Sequence, residues 1–201
     1  MSRHRVSRLR RDELPVDTVE LARDLIGKSL VRETPQGRMS GRIVETEAYL
    51  PGDAAAHSFR GKTPRNRSLF LERGHAYVYF IYGCWFSMNV SGDAEGVGAG
   101  VLLRALEPIE GVAIMRANRG VERVHDLARG PGRLAAALAI DRTLDGIDLC
   151  GDGPLWLGCA PRACGAIGTS TRVGITLEAQ RPLRFYERGN RFVSGTAKMR
   201  V

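Results

Sequence analysis

The chain has 201 residues, 43% of them hydrophobic, which suits one folded domain with a core of its own and excludes general disorder. No apolar run approaches a membrane span, and no short apolar core follows the basic N-terminus, so the expectation is a cytoplasmic protein with no membrane partner. The net charge of +8 favours a phosphate-rich partner.

That charge is almost all arginine, the lysines being Lys28, Lys62 and Lys198. Arginine forks onto phosphates bidentately, which fits nucleic acid, although genomic codon bias produces the same excess. The cysteines Cys84, Cys150, Cys159 and Cys164 show no CxxC spacing, and no histidine lies near the last three. Reduced thiols are therefore expected, with neither a zinc site nor a disulfide framework, and nothing elsewhere in the sequence implies another metal or an organic cofactor.

Residues 1–14, "MSRHRVSRLRRDEL", read as a mobile basic arm able to touch DNA backbone, ahead of a single domain over 15–201. "PVDTVELARDLIGK" reads as a helix, with Asp17 as cap, Glu20 three residues on, an apolar stripe and Gly27 at its end. "SLVRET" and "RMSGRIVETEAYL" read as strands joined by the turn "PQG". A polar, arginine-rich loop follows over 51–68. The aromatic stretch "HAYVYFIYGCWFSMNV" reads as a β-hairpin turning at Gly83. "SGDAEGVGAG" is a loop and "VLLRALEP" a strand. Helices are expected from Pro108 in "PIEGVAIMRANR" and from Pro131 in "RGPGRLAAALAI". "PLWLG", "TRVGIT", "PLRFYERG" and "RFVSG" read as short strands. Helices mixed with antiparallel strands, without regular βαβ alternation, make the fold class α+β. No coiled-coil or obvious interface pattern is present, so a monomer is expected.

Strict alternation puts Glu45, Glu47 and Tyr49 on one strand face with Ile43. A solvated face is one explanation of two acids beside an aromatic; a pocket in which a carboxylate works beside a flat ligand is the other. Tyr49, His57 and Tyr79 are π-faced groups on a strand, a loop and a second strand, suited to sandwiching a planar base. Each has core packing as its plainer fate. Arg104 follows Leu103 inside an apolar strand, and a buried arginine needs an acid, for which Glu47 is the candidate. Tyr82 stands at the hairpin turn, either folded back onto the domain or projecting as a wedge between stacked bases.

The segments "IVETEAYL", "AAHS", "TPRNRSLF", "YVYFIYGCWFSMNVS", "VLLRALEP" and "PLRFYERG" occur in the order found in the alkyladenine (3-methyladenine, methylpurine) DNA glycosylases, which the chain resembles from about residue 17 to about residue 195. The resemblance implies an α+β domain with a curved antiparallel sheet and a protruding aromatic hairpin, like the C-terminal domain of formyltransferases. It implies a base-excision-repair enzyme that flips alkylated or deaminated purines out of duplex DNA, approached through the minor groove, and hydrolyses the N-glycosidic bond. Carried over to this chain, Glu47 activates the water and Arg104 helps hold it. Tyr49 and Tyr79 stack on the flipped base from its two sides, and His57 lines the pocket. Asn89 opposes guanine's exocyclic amino group, and Tyr82 fills the gap left in the duplex.

Lys62 is the only lysine near these motifs and sits in a basic loop, so a Schiff-base lyase step is not expected and the enzyme is read as monofunctional. "RGPGRL" offers backbone amides at a helix start as a phosphate contact. Cys84 and Trp85 replace a methionine and a tyrosine familiar in the family's best-known members. The loop from Leu50 to His57 is shorter and "SGDAEGVGAG" longer than theirs. Two rivals stand beside the enzyme: a non-catalytic protein that binds damaged DNA by stacking, which has no need of Glu47 or Arg104, and an RNA-directed relative, which does not explain Tyr82.

Overall fold

A computed structural model describes residues 6–159 and 164–195. Nine strands form one sheet among these residues: β1 (Ser7–Arg8), β2 (Ser29–Thr34), β3 (Gly37–Tyr49), β4 (Ala76–Ile81), β5 (Trp85–Ser91), β6 (Gly100–Glu110), β7 (Leu155–Cys159), β8 (Ile167–Ser170) and β9 (Arg184–Glu187). The helices are α1 (Thr18–Asp24), α2 (Val112–Arg119) and α3 (Pro131–Ala137). Every pairing is antiparallel, in the order β1-β7-β2-β3-β6-β5-β4, with β9 also paired to β3 and β8 to β9. Helices packed on an antiparallel sheet within one domain make the fold α+β, as expected.

The core lies between one face of this sheet and the helices. Leu21 and Leu25 at α1, Leu134 and Ala135 of α3, and Ile43, Ala48, Met88, Val90, Val101 and Leu103 of the sheet form one buried cluster. Burying a leucine-sized side chain stabilises by about 1.5–3 kcal/mol, so this cluster dominates the fold's stability. Asp17 caps α1 as the sequence predicts, accepting from the amides of Val19 and Glu20.

Four expectations change. The helix expected at Pro108 begins later, because β6 runs on to Glu110 and α2 starts after Gly111, whose φ is +71°. Pro108 opposes Gly41 beside a register shift, where a ladder tolerates a residue without an N–H. "TRVGIT" is not a strand; the strand lies just before it, at Ile167–Ser170. "RFVSG" turns back instead of extending, with the Phe192 amide donating to Asn190 Oδ1. Of the arm over 1–14, residues 1–5 lie outside the described residues, and residues 6–14 are laid onto the domain: β1 pairs with β7, and Leu9 and Leu14 are buried. Arg8 covers the Trp156 ring at 4.4 Å, and Arg11 pairs with Asp148 at 2.8 Å, so neither guanidinium is a loose cation.

Strand β3 is where the architecture turns toward the site. Its first half runs between β2 and β6, its second half between β9 and β6. Register shifts fall between Ile43 and Glu45 and between Glu45 and Thr46. They break the strict alternation assumed from the sequence. Ile43 joins Ala48 in the main core, and the Thr46 hydroxyl donates to Ala22 O of α1 at 2.8 Å. Glu47 therefore faces away from Ile43, not with it.

Candidate active site

On the sheet face opposite the core, Tyr77, Asn89, Leu102, Glu47 and Arg184 stand in register on β4, β5, β6, β3 and β9, one residue per strand. In-register side chains share a face, so a single row crossing the sheet sets out the floor of the site. One step along, Tyr79 opposes Ser87, and Tyr49 opposes Gly100. Over this floor lies a cavity of about 160 Å³, walled by Tyr49, His57, Tyr77, Tyr79, Tyr82, Asn89 and Arg104 among others. The structure thus brings together all seven residues singled out in the sequence, six on the cavity wall and Glu47 directly beneath it.

Glu47 has no solvent-exposed surface. Its Oε1 accepts from the Val173 amide at 2.7 Å; its Oε2 accepts from the Tyr49 hydroxyl at 3.0 Å and lies 3.2 Å from Arg104 Nη1. Burial raises its pKa; Arg104, the Val173 amide and the Tyr49 hydroxyl pull against this, and the net direction is upward. Glu45 has the opposite balance. Burial pushes it up, but Arg104 at 3.1 Å, Arg184 at 2.7 Å and the Ser194 amide at 2.6 Å bring it below the usual carboxylate range. Two glutamates two positions apart are thus driven in opposite directions. Arg104 bridges them, held by Glu45 through Nε and facing Glu47 through Nη1.

The aromatic wall is built from interlocking rings. Tyr77 and Tyr79 stack at 5.2 Å with planes 25° apart, and His57 meets Tyr79 edge-on at 4.4 Å. His57 Nδ1 shares a 2.9 Å hydrogen bond with the Tyr77 hydroxyl. Desolvation at the cavity, then the Arg65 charge, lowers the His57 pKa and favours the neutral ring. Burial pushes the Tyr77 hydroxyl up to about 12 and keeps it protonated. Asn89 is buried, and its Nδ2 has no hydrogen-bond partner at the cavity wall. An unused buried amide donor costs about 1–3 kcal/mol, which makes it a marker of a ligand-facing position.

Tyr82 is 80% exposed at the tip of the β4–β5 hairpin, and its φ is +55°. A bulky residue in that left-handed region is strained, and the tip holds it outward. Trp85, at the base of the turn, lies against Gly132 of α3, where a β-carbon would come within 3.0 Å of the ring. The "GPG" stretch read as a phosphate contact therefore also seats the hairpin.

Residues 12–191 match the family described as methylpurine-DNA glycosylase. A chain of Mesorhizobium japonicum is 65% identical over 198 residues, covering 96% of this chain and 95% of its own length. One of Paraburkholderia phytofirmans is 53% identical over 96% of this chain and 91% of its own. Both are assigned by name to the 3-methyladenine DNA glycosylases. The human DNA-3-methyladenine glycosylase is 47% identical over 88% of this chain and 64% of its own length.

The chain belongs to the methylpurine-DNA glycosylase family.

Several parts of this glycosylase's site escaped the sequence reading. Val173, which binds Glu47, lies in the segment taken for a strand. Asn66 holds the His57 loop through its Nδ2, which donates to His57 O at 2.8 Å. Arg172 and Asp53 form a fully buried pair behind Tyr49. Val173 and Asp53 carry no local signal, because their partners lie more than a hundred residues along the chain, and Asn66 is one polar residue among many in its loop. Arg172 alone had a cue: an arginine beside an apolar run, the same cue that singled out Arg104.

Proposed function

We propose that this glycosylase flips alkylated or deaminated purines, 3-methyladenine and 7-methylguanine among them, out of duplex DNA and hydrolyses their N-glycosidic bond, with hypoxanthine and ethenoadenine the neutral lesions that the assay below decides. Glu47 is the general base and an abasic site the product. The observation that carries this reading is a fully buried glutamate of raised pKa, paired to Arg104 beneath an aromatic cavity. A base whose pKa rises toward the working pH is the better proton acceptor. Because Arg104 and the Tyr49 hydroxyl cover Oε2, the attacking water enters from the cavity between them.

The flipped base lies between Tyr49 on one side and His57 with Tyr79 on the other, each stacking contact contributing roughly 1–3 kcal/mol. Electron-rich rings favour the positive charge of N3- or N7-alkylated purines, and that charge weakens the bond to the sugar. An oxocarbenium-like sugar is then captured by the water. Tyr82 enters the gap left by the base from the minor-groove side. The exposed Arg60, Lys62, Arg65 and Arg67, in the loop beside the cavity, hold the phosphates. The protein acts as a monomer and forms no Schiff base. Lys62 is directed at the Phe70 ring, 5.9 Å away, and is not part of the cavity wall.

The test is base release from duplexes carrying each of the four lesions, wild type against Glu47→Gln. Release by wild type, lost by at least about a hundredfold in Glu47→Gln while lesion binding persists, is the expected result. Tight binding without release by wild type points instead to the non-catalytic damage-binding protein. Arg104 is the poorer probe, since removing one partner of a buried ion pair costs about 3–5 kcal/mol of stability.

A further inference from the structure

We propose that the buried Arg172–Asp53 pair is a positioning device that presses the Tyr49 ring flat against the bound base. The inference rests on reading the cavity as a base pocket. The Arg172 guanidinium lies 4.6 Å from the centre of the Tyr49 ring, so it occupies one side of the ring. Tyr49 also lines the cavity, whereas Arg172 and Asp53 do not, so in this proposal the ring's other side is the one offered to the base. A stacking surface backed by an ion pair cannot swing away from the ligand. Holding reacting groups in place is worth large factors in rate, because a misplacement of about 1 Å costs up to roughly a hundredfold.

Four features of the pair support a role beyond holding the fold together. Both side chains are fully buried, and Asp53 takes the guanidinium fork through both oxygens, Oδ1 accepting from Nη2 at 3.1 Å and Oδ2 from Nη1. Arg172 Nη1 also donates to Ala48 O at 3.1 Å, the residue before Tyr49, whereas Arg172 Nε is buried without a partner among the described residues. A buried ion pair with an orphaned N–H is weak as a stabilising device, since apolar side chains of the same volume commonly do as well.

The pair also sits where three segments of the cavity wall meet. Asp53 belongs to the loop that carries His57, and its Oδ1 accepts from the Ala55 amide at 2.9 Å. Arg172 precedes Val173, whose amide binds Glu47. Tyr49 ends β3. One ion pair therefore sets the loop, the strand end and the segment over Glu47 relative to each other.

The test compares single-turnover base release and duplex binding for wild type, the double variant Asp53→Asn/Arg172→Met, Arg172→Lys, Tyr49→Ala, and the triple variant that combines Tyr49→Ala with the double. The double removes both charges together, so neither is left buried alone. The expected result is release slowed about tenfold by the double, with affinity for lesion duplex reduced and affinity for undamaged duplex unchanged. Tyr49→Ala alone and the triple variant should release at rates within about threefold of each other, because the pair acts through the ring. Arg172→Lys, which keeps the charge but not the fork, should fold and lose at least about fivefold in rate.

A double variant that releases base like wild type overturns the inference, as does a triple variant slower than Tyr49→Ala by the double's full factor. If the double does not fold, Arg172→Lys decides: wild-type release by it overturns the proposal. No release of any lesion by wild type overturns the base-pocket reading, and this inference with it.

Discussion

Glu45 and Glu47 are the same residue type on the same strand, and what separates them is the number of cations each faces. Among the described residues, Glu45 meets Arg104 and Arg184, and Glu47 one guanidinium nitrogen of Arg104. Asn89 shows the same logic for hydrogen bonds. Its Nδ2 has no partner among the described residues, and on the proposed reading it meets the edge of the base in the cavity. Facing a guanine amino group, it sets donor against donor, a mismatch costing about 1–3 kcal/mol. Asn89→Ala should therefore raise release of guanine-derived bases relative to adenine-derived ones by about tenfold or more. Single-turnover release of 7-methylguanine and 3-methyladenine measures the ratio, and an unchanged ratio removes Asn89 from specificity.

The β4–β5 hairpin is the element that reaches beyond the domain. Next to its tip Trp85 packs against Gly132, and the phenyl rings of Phe80 and Phe86 meet across its strands at 5.1 Å. Its tip carries Tyr82 in a backbone conformation that glycine adopts freely. A left-handed residue with a side chain costs about 1–2 kcal/mol, against roughly 0.5–1 kcal/mol of extra chain entropy for glycine. Tyr82→Gly should thus melt at or slightly above the wild-type temperature. The same variant should bind lesion duplex about tenfold or more weakly, through the lost stacking. Calorimetric melting and a titration of lesion duplex read the two quantities. A variant that melts lower and binds as well would show that the tip serves the fold and not the DNA.

Across the described residues, part of the ion pairing is turned inward. Arg42, Arg104, Arg172 and Arg184 are buried against carboxylates, so part of the arginine excess serves the interior. Glu45, Asp53 and Glu187 each meet burial that pushes them up and arginines that push them further down, leaving all three below their ordinary values. A carboxylate whose folded pKa is depressed stabilises the fold above its unfolded pKa, and that contribution is lost as pH falls through the folded value. The fold should therefore hold its stability above about pH 5 and lose it progressively below about pH 4, the ordinary carboxylate range. Glu47 works the other way: its raised pKa favours the fold at low pH, and that contribution fades as pH rises through the folded value. Denaturant midpoints measured between pH 3 and 8 test the balance, and a midpoint flat to pH 3 would mean the buried pairs contribute nothing net.

Sequence alone determined what depends on neighbours along the chain. The Asp17 cap, the strands from Ser29 to Tyr49 and the hairpin turning at Gly83 follow from local capping, alternation and turn chemistry. An ordered run of motifs carried the family and the seven candidate residues, because a chemistry that needs particular side chains leaves them in recognisable company. Tertiary structure alone decided what depends on distant partners. The register shifts around Glu45 turned Ile43 into the core and Glu47 to the opposite face, which no alternation rule foresees. Leu9 and Leu14 laid residues 6–14 onto the domain through only two apolar anchors, too few to show a period. Arg172 and Asp53 meet from opposite ends of the domain, and Val173 reaches Glu47 across a similar span. A buried charge is legible in a sequence only as a cost; its compensating partner is known once the chain has folded back upon itself.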